Sequence, residues 1–386
     1  MDYAKESLKL HKKNKGKLFV GCKVKLENKD DLSIAYTPGV AAPCLKIKDN
    51  IGDVYKYTIK GNSVAVVTDG SAVLGLGNIG AEASLPVMEG KCLLFKRFAD
   101  IDAFPIAIKS QETDEIVNVV KNIAPVFGGI NLEDISAPRC FEVEEKLQDI
   151  GIPVMHDDQH GTVVVVMAAL MNAAKVVGKE FSELKVVING AGAAGIAISK
   201  SMLGIGIDKE IYTPVREVVI LDSKGIIYRG RKEGMNRYKE EVAKYTTGAE
   251  GGLKDAIKGA DVFVGVSVQD VLKKEMVRSM ADKPIIFAMA NPNPEILPKD
   301  ALAAGAAVVG TGRSDYPNQV NNVLAFPGIF RGALDARAKR ITSNMKIAAA
   351  VELAGCVKNP TKEKVIPNSF DNVAYRIARA VKEIKD

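Results

Sequence analysis

Beyond residue 63 the chain alternates between short continuous apolar runs and longer stretches whose apolar residues recur at helical spacing. These are the signatures of buried strands and of helices with one covered face. "VAVVT" (64–68), "DAFPIAI" (102–108), "GINL" (129–132) and "IPVM" (152–155) read as strands. "SLPVMEGKCLLFKRFA" (84–99), "DEIVNVVKNIAPVF" (114–127) and "PRCFEVEEKLQDI" (138–150) read as the helices between them. Such alternation predicts βαβ units and a parallel sheet. The apolar run from Thr162 to Val177 predicts a buried helix leading out of this set. A second set follows: "KVVINGAGAAGIAISKSML" (185–203) as strand, turn and helix, then strands in "EVVILD" (217–222), "ADVFVGV" (260–266), "PIIFAMANP" (284–292) and "AAVVGTG" (306–312). An amphipathic helix, "FDNVAYRIARAVKEI" (370–384), closes the chain. The expected fold is α/β with two domains. Residues 1–160 form an N-terminal α/β domain with parallel strands, and residues 161–386 a C-terminal Rossmann-type dinucleotide-binding domain. The tail from about residue 340 is expected to pack back on the first domain.

Composition changes this picture little. A length of 386 residues suits two or three domains with ample cores, and 47% hydrophobic with 26% charged residues is ordinary for a globular protein. The net charge of +6 invites a nucleic-acid reading, but Lys and Arg are spread along the chain, with one dense cluster, "KLHKKNKGK" (9–17). Anionic small molecules explain the excess as well, so no nucleic-acid partner is expected. Five cysteines (Cys22, Cys44, Cys92, Cys140, Cys356) form no CxxC and read as reduced cytosolic thiols. "MDYAKESLKL" lacks a signal-peptide core, and "VVVVMAALM" (163–171) is half a membrane span. The expectation is a cytoplasmic protein with no membrane partner. The three histidines (His11, His156, His160) argue against a His-rich metal site, so any metal would be held by carboxylate oxygen, as Mg²⁺ or Mn²⁺ are.

Two features carry chemistry. In "GAGAAG", Gly190, Gly192 and Gly195 have the GxGxxG spacing, with Ala193 and Ala194 inside the turn, between an apolar strand and a small-residue helix. The first glycine allows the turn, the second lets the backbone approach a pyrophosphate, and the third lets helix pack on sheet. Asp222 ends the next strand, where it would accept from a ribose 2′-OH and repel a 2′-phosphate, favouring NAD over NADP. It lies 27 residues after Gly195, farther than usual, and Lys224, Arg229 and Arg231 nearby could hold a phosphate.

The second feature is a pair of acidic doublets, Glu133/Asp134 and Asp157/Asp158, each ending an apolar strand. Ligands of parallel sheets bind at that edge, and consecutive strands usually neighbour one another. Four carboxylates brought together would raise one another's pKa unless a divalent cation joined them. The plainer alternative makes Asp134 and Asp158 helix N-caps, which explains one acid per doublet. On the helix of 84–99, Val87, Leu94, Phe95 and Phe98 define an apolar stripe, and Lys91 falls on it. A lysine there either snorkels or is held as a base. In "AYTPGVA" (35–41), Tyr36 precedes a Pro-Gly turn that either fixes its phenol for use or simply packs it.

Taken together, "YTPGVA", "VTDGSAVLGLGNIG", "LPVMEGKCLLFK", "INLEDISAPRCFE", "HDDQHGT", "GAGAAG", "DSKG", "ANPNPE" and "RSDYPNQVNNVLAFPGIFRGALD" occur in the order found in small prokaryotic-type malic enzymes, which the chain resembles over nearly its whole length. The resemblance implies oxidative decarboxylation of L-malate to pyruvate and CO₂, with NAD or NADP and Mg²⁺ or Mn²⁺. It implies Lys91 as general base, Tyr36 as general acid and Asp157 as the acid that hydrogen-bonds the lysine. Glu133, Asp134 and Asp158 match the metal ligands. Asn291 and Asn322 fall in motifs that contact substrate and nicotinamide, with Asn321 their neighbour. It also implies a homodimer or larger, in which the Tyr36 segment completes the partner's site. Larger family members carry an arginine where this chain has Ala72, so the holder of the far malate carboxylate is left open.

The alternatives are malolactic conversion of malate to lactate, a metal-free NAD-dependent amino-acid dehydrogenase of similar two-domain build, and a dinucleotide-sensing or nucleic-acid-binding module. The last leaves the acidic doublets, Lys91 and Tyr36 without a purpose.

Overall fold

A computed structural model describes residues 2–246 and 250–384. Ahead of the first strand lie the short helices Tyr3–Asn14, Lys29–Ala35 and Ala41–Asp49. No residue from 2 to 59 is buried, although this segment carries Leu8, Phe19, Val20, Ile34, Tyr36 and Ile51.

The first sheet has four parallel strands: β1 Ser63–Thr68, β2 Asp102–Ala107, β3 Gly129–Leu132 and β4 Val154–His156, in spatial order β2-β1-β3-β4. The second contains β5 Lys185–Asn189, β6 Glu217–Asp222, β7 Gly225–Ile226, β8 Val262–Gly265, β9 Ile285–Ala288 and β10 Val308–Thr311, in order β10-β9-β8-β5-β6-β7. Its strands are parallel except β7, which forms an antiparallel hairpin with β6. Successive residues of a strand point to opposite faces. In β5, Val186 and Ile188 accordingly join the main core while Val187 joins a second core on the other face, beside Phe263 and Ile286.

The helix that leaves the first sheet is longer than its apolar run indicates. It spans Asp157–Val177, so Asp157 and Asp158 form its first turn. Negative side chains are favoured at that end of the helix dipole. It is long and apolar enough to cross a bilayer, but 15 of its residues are buried in the protein core.

The stripe on Gly80–Ala99 is also displaced from its expected place. Met88, Lys91, Cys92, Phe95 and Ala99 are buried, whereas Val87, Leu94 and Phe98 are only partly so. The cause is tertiary. Phe95 packs edge-on against Phe326 and Phe330, with ring centroids 4.7 and 5.4 Å away, so helix Phe326–Ala336 sets the buried face. The C-terminal elements thus return to the first sheet's helices, beginning earlier than residue 340. Helix Ser343–Gly355 packs on Asp157–Val177, and Ala374–Glu383 on Phe326–Ala336.

Candidate active site

The carboxyl ends of both sheets face one cleft of about 700 Å³. Ala72 and Leu74 reach it after β1, Glu133 and Asp134 after β3, and Asp158 after β4. From the second sheet come Ala194 after β5, Ser267 after β8, Asn291 after β9 and Gly312 after β10. Lys91, Asn321 and Asn322 complete the wall, and Lys17 of the N-terminal segment stands at it.

Adjacent pairing of β3 with β4, Leu132 beside His156, brings the two acidic doublets together. One carboxylate oxygen each from Glu133, Asp134 and Asp158 lie within 4.8 Å of one another. The Asp134 N–H donates to Asp158 Oδ2 at 2.9 Å, and Asn131 Nδ2 donates to Glu133 Oε2 at 2.8 Å. Neither aspartate is an N-cap. The next helix, Arg139–Leu147, is preceded by Pro138, and Asp134 has a left-handed φ of 53°.

Lys91 is 7% exposed. Its Nζ lies 2.5 Å from Asp157 Oδ2 and 2.8 Å from Glu133 Oε1, above the Phe326 ring. It does not snorkel. Asn322 Nδ2 also donates to Asp157 Oδ2, at 2.5 Å, so Asp157 joins the lysine to the second domain. A Cβ at Gly161 would fall 1.9 Å from Asp157 Oδ1, which makes glycine necessary there.

Burial pushes the carboxyls of Glu133, Asp134 and Asp157 up, to about 7, 9 and 8, and neighbouring carboxylates add to the push. Burial works the other way on Lys91, but Asp157 and Glu133 outweigh it and hold the ammonium above its ordinary value. Asp134 Oδ2 and Asp157 Oδ1 are buried with no hydrogen-bond partner. Unpartnered, crowded carboxylate oxygens fit a hard divalent cation, and the donor set of Glu133, Asp134 and Asp158 is all oxygen.

On the second sheet the three glycines lie in the turn between β5 and helix Ala193–Met202 and at its start. Gly190 has φ 121°, and a Cβ on it would meet Val266 O at 2.4 Å. A Cβ on Gly195 would meet Gly190 O at 1.7 Å. Gly192 faces open space and precedes helix Ala193–Met202, whose Ala194 lines the cleft.

Two expected residues stand differently from the rest. Tyr36 is 67% exposed and is not part of this cleft wall. Asp222 does end β6, but its carboxylate is already engaged. Oδ2 meets Arg231 Nη2 at 2.5 Å and Lys239 Nζ at 2.6 Å, and Oδ1 accepts the Lys224 N–H. Lys224 itself pairs with Glu233.

Several contributors escaped the sequence reading. Buried Asp69 accepts from Ser71 and from Arg139 Nε, tying the loop after β1 to the helix after β3. Glu144 is buried on the same helix. Its signal was available, a charged residue on the stripe of Cys140, Phe141, Val143 and Leu147, the same kind of signal that marked Lys91.

Residues 13–148 match the family model of the malic enzyme N-terminal domain, and residues 159–385 that of the malic enzyme NAD binding domain. The chain is 60% identical over 387 residues to the bifunctional malic/malolactic enzyme of Bacillus subtilis, covering 99% of this chain and 92% of that one. It is 51% identical to a probable NADP-dependent malic enzyme of Rickettsia prowazekii, covering 93% of this chain but 46% of that longer protein. The crystal structure of the NAD-dependent malic enzyme from Thermotoga maritima superposes with a TM-score of 0.92 at 48% identity, covering 97% of this chain and 98% of that one.

Proposed function

This chain belongs to the malic enzyme family, and on that premise we propose how its residues oxidise and decarboxylate L-malate to pyruvate and CO₂ while reducing NAD(P). One juxtaposition supports the reading: Lys91 Nζ is clasped by Glu133 and Asp157 at the edge of a three-carboxylate cluster. That cluster shares its cleft with Ala194 and Asn291 of the dinucleotide-binding sheet. Residues 1–160 supply the acid–base and metal groups, and residues 161–386 the cofactor site.

A divalent cation, Mg²⁺ or Mn²⁺, held by Glu133, Asp134 and Asp158 would supply Lewis-acid polarisation of the C2 oxygen and stabilise the charge that develops there. Lys91, once Asp157 or Glu133 beside it has taken its ammonium proton, takes the proton of the malate hydroxyl, and NAD(P) bound at the glycine turn would supply the acceptor for the C2 hydride. Asp157, sharing Oδ2 between Lys91 and Asn322, fixes the direction of the ammonium. The β-carboxylate then departs as CO₂, and Tyr36 returns a proton to C3. Asn321 and Asn322 line the same cleft and would contact the substrate there.

The working form is a homodimer in which Tyr36 serves the partner's cleft. Its exposure, and the lack of any buried residue from 2 to 59, support this, since an arm with so many apolar side chains gains by covering a second copy. NAD is the preferred cofactor, because Asp222 ends β6 where a 2′-phosphate would meet its charge. NADP is used less well, the Arg231 and Lys239 partners offsetting part of that charge.

The test is to add L-malate and Mn²⁺ with NAD and with NADP in parallel, following the reduced cofactor and assaying pyruvate and lactate. Reduced cofactor equal to pyruvate is expected, abolished by a chelator. A second reading has its own support, the 60% identity to the bifunctional malic/malolactic enzyme of Bacillus subtilis. In malolactic turnover the cofactor is reused, and lactate forms without net reduction. Family membership leaves the amino-acid dehydrogenase and binding-module readings without support.

A further inference from the structure

Behind the acidic doublets, buried Glu144 and half-buried His160 and Lys346 form a chain of contacts that the reaction does not use. The Glu144 carboxylate, on helix Arg139–Leu147, accepts from the His156 N–H at 2.9 Å and from Gln159 Nε2 at 3.1 Å. His160 Nε2 stands 3.0 Å from the same carboxylate, and His160 Nδ1 is 3.2 Å from Lys346 Nζ on helix Ser343–Gly355. The chemistry sets the direction of these bonds. An ionised carboxylate only accepts, so Nε2 carries the hydrogen; an ammonium only donates, so Nδ1 receives. His160 is therefore a neutral imidazole passing one bond in each direction.

All three residues that Glu144 holds flank Asp157 and Asp158. His156 precedes them, and Gln159 and His160 follow, in the first turn of helix Asp157–Val177. That helix has no side-chain cap of its own, since His156 in the cap position makes no such bond. Glu144 supplies the missing acceptor from another helix, as a buried anion at the positive end of the dipole. Lys346 balances that anion from the C-terminal part of the chain, so both domains grip this one turn.

We propose that Glu144, His160 and Lys346 act as positioning residues for the cation held by Glu133, Asp134 and Asp158. They fix the turn that aims Asp158 at the cation and Asp157 at Lys91. The proposal rests on the metal reading given above. Outer partners that orient metal ligands typically contribute about 10- to 100-fold in metal affinity.

The experiment measures binding in the whole protein, with free Mn²⁺ followed by electron paramagnetic resonance and NADH by its fluorescence. Glu144→Gln and Lys346→Met are each expected to weaken Mn²⁺ by about 10-fold or more, with NADH affinity within about 2-fold. The double variant is expected to be little worse than the weaker single one, because both act through one chain of contacts. Mn²⁺ affinity unchanged in folded Glu144→Gln and Lys346→Met would overturn the proposal. Equal losses of Mn²⁺ and NADH affinity would overturn it too, because a loosened fold moves both. Asp134→Asn separates the two levels: if it binds Mn²⁺ as tightly as the parent, the metal reading itself fails, whatever Glu144 does.

Discussion

Lys91 shows how a single position can join base and acid chemistry. Held by two carboxylates, it is directed at the cleft and kept from solvent. Lys91→Ala should lose malate oxidation by about 10²-fold or more, the usual scale of general-base loss, yet keep much of its decarboxylation of added oxaloacetate. Equal loss of both activities would mean that the lysine is not the base of the hydride step. On the proposed reading, Asp222 and its partners set the cofactor choice. Asp222→Asn would free Arg231 and Lys239 for a phosphate, and kcat/KM for NADP relative to NAD should rise about 10-fold. An unchanged ratio would place the discrimination elsewhere. Glu144 reports on acid stability. Burial pushes its carboxyl up, but His160 and Lys346 outweigh this and hold it at about 2. A depressed carboxyl stabilises the fold above its unfolded pKa and loses that contribution as pH falls toward the folded value. The stability gap between the parent and Glu144→Gln should therefore be full near neutral pH and shrink between about pH 4 and pH 2. Denaturant titrations at a series of pH values would show it, and a constant gap would contradict it.

Among the elements, two C-terminal helices approach each other closely. Gly328 and Gly332 share one face of Phe326–Ala336, and Cβ atoms there would meet Ala374 O and Ala378 O at 2.6 and 2.5 Å. The partner's backbone occupies the space of the missing side chains. Gly332→Val should cost at least about 1–3 kcal/mol through overpacking. At Gly355 a Cβ meets nothing within 4 Å, and Gly355→Ala should instead stabilise by about 0.5 kcal/mol. Thermal unfolding of the two variants would test the contrast, and similar midpoints would refute it. Element type was legible from periodicity in the first sheet and the glycine-turn unit, whose strands fall on or beside their apolar runs, whereas the two-residue β7 and helix Ser343–Gly355 were not read from it. The facing of Gly80–Ala99 was not, because Val87 and Leu94 are as apolar as Met88 and Cys92, and only packing against Phe326 and Phe330 chooses between them.

At the scale of the whole molecule, one cleft is built from the ends of two sheets and an arm that buries nothing of its own. If Tyr36 works in the partner's cleft, mixing inactive Tyr36→Phe and Lys91→Ala chains restores one intact site per hybrid dimer. Random assortment then returns about a quarter of the parent activity. If both residues act within one chain, every chain in the hybrid remains defective and mixing recovers nothing. Equilibrating the variants by dilution and reconcentration before assay distinguishes the two.

The alternation of strands and helices, the glycine turn and the residues able to carry chemistry can be read from the chain alone, because local periodicity and side-chain type are local properties. Lys91 stands out because a lysine on an apolar face is anomalous wherever that face turns. Which of those residues meet depends on long-range packing. The pairing of β3 with β4 made two doublets into one cluster, the return of the C-terminal helices set the buried face around Lys91, and Asn322 reached Asp157 across 165 residues of chain. Asp222 shows the reverse case. Its place at a strand end was readable, but its occupation by Arg231 and Lys239 depends on how the following loop folds back, and no local pattern records that.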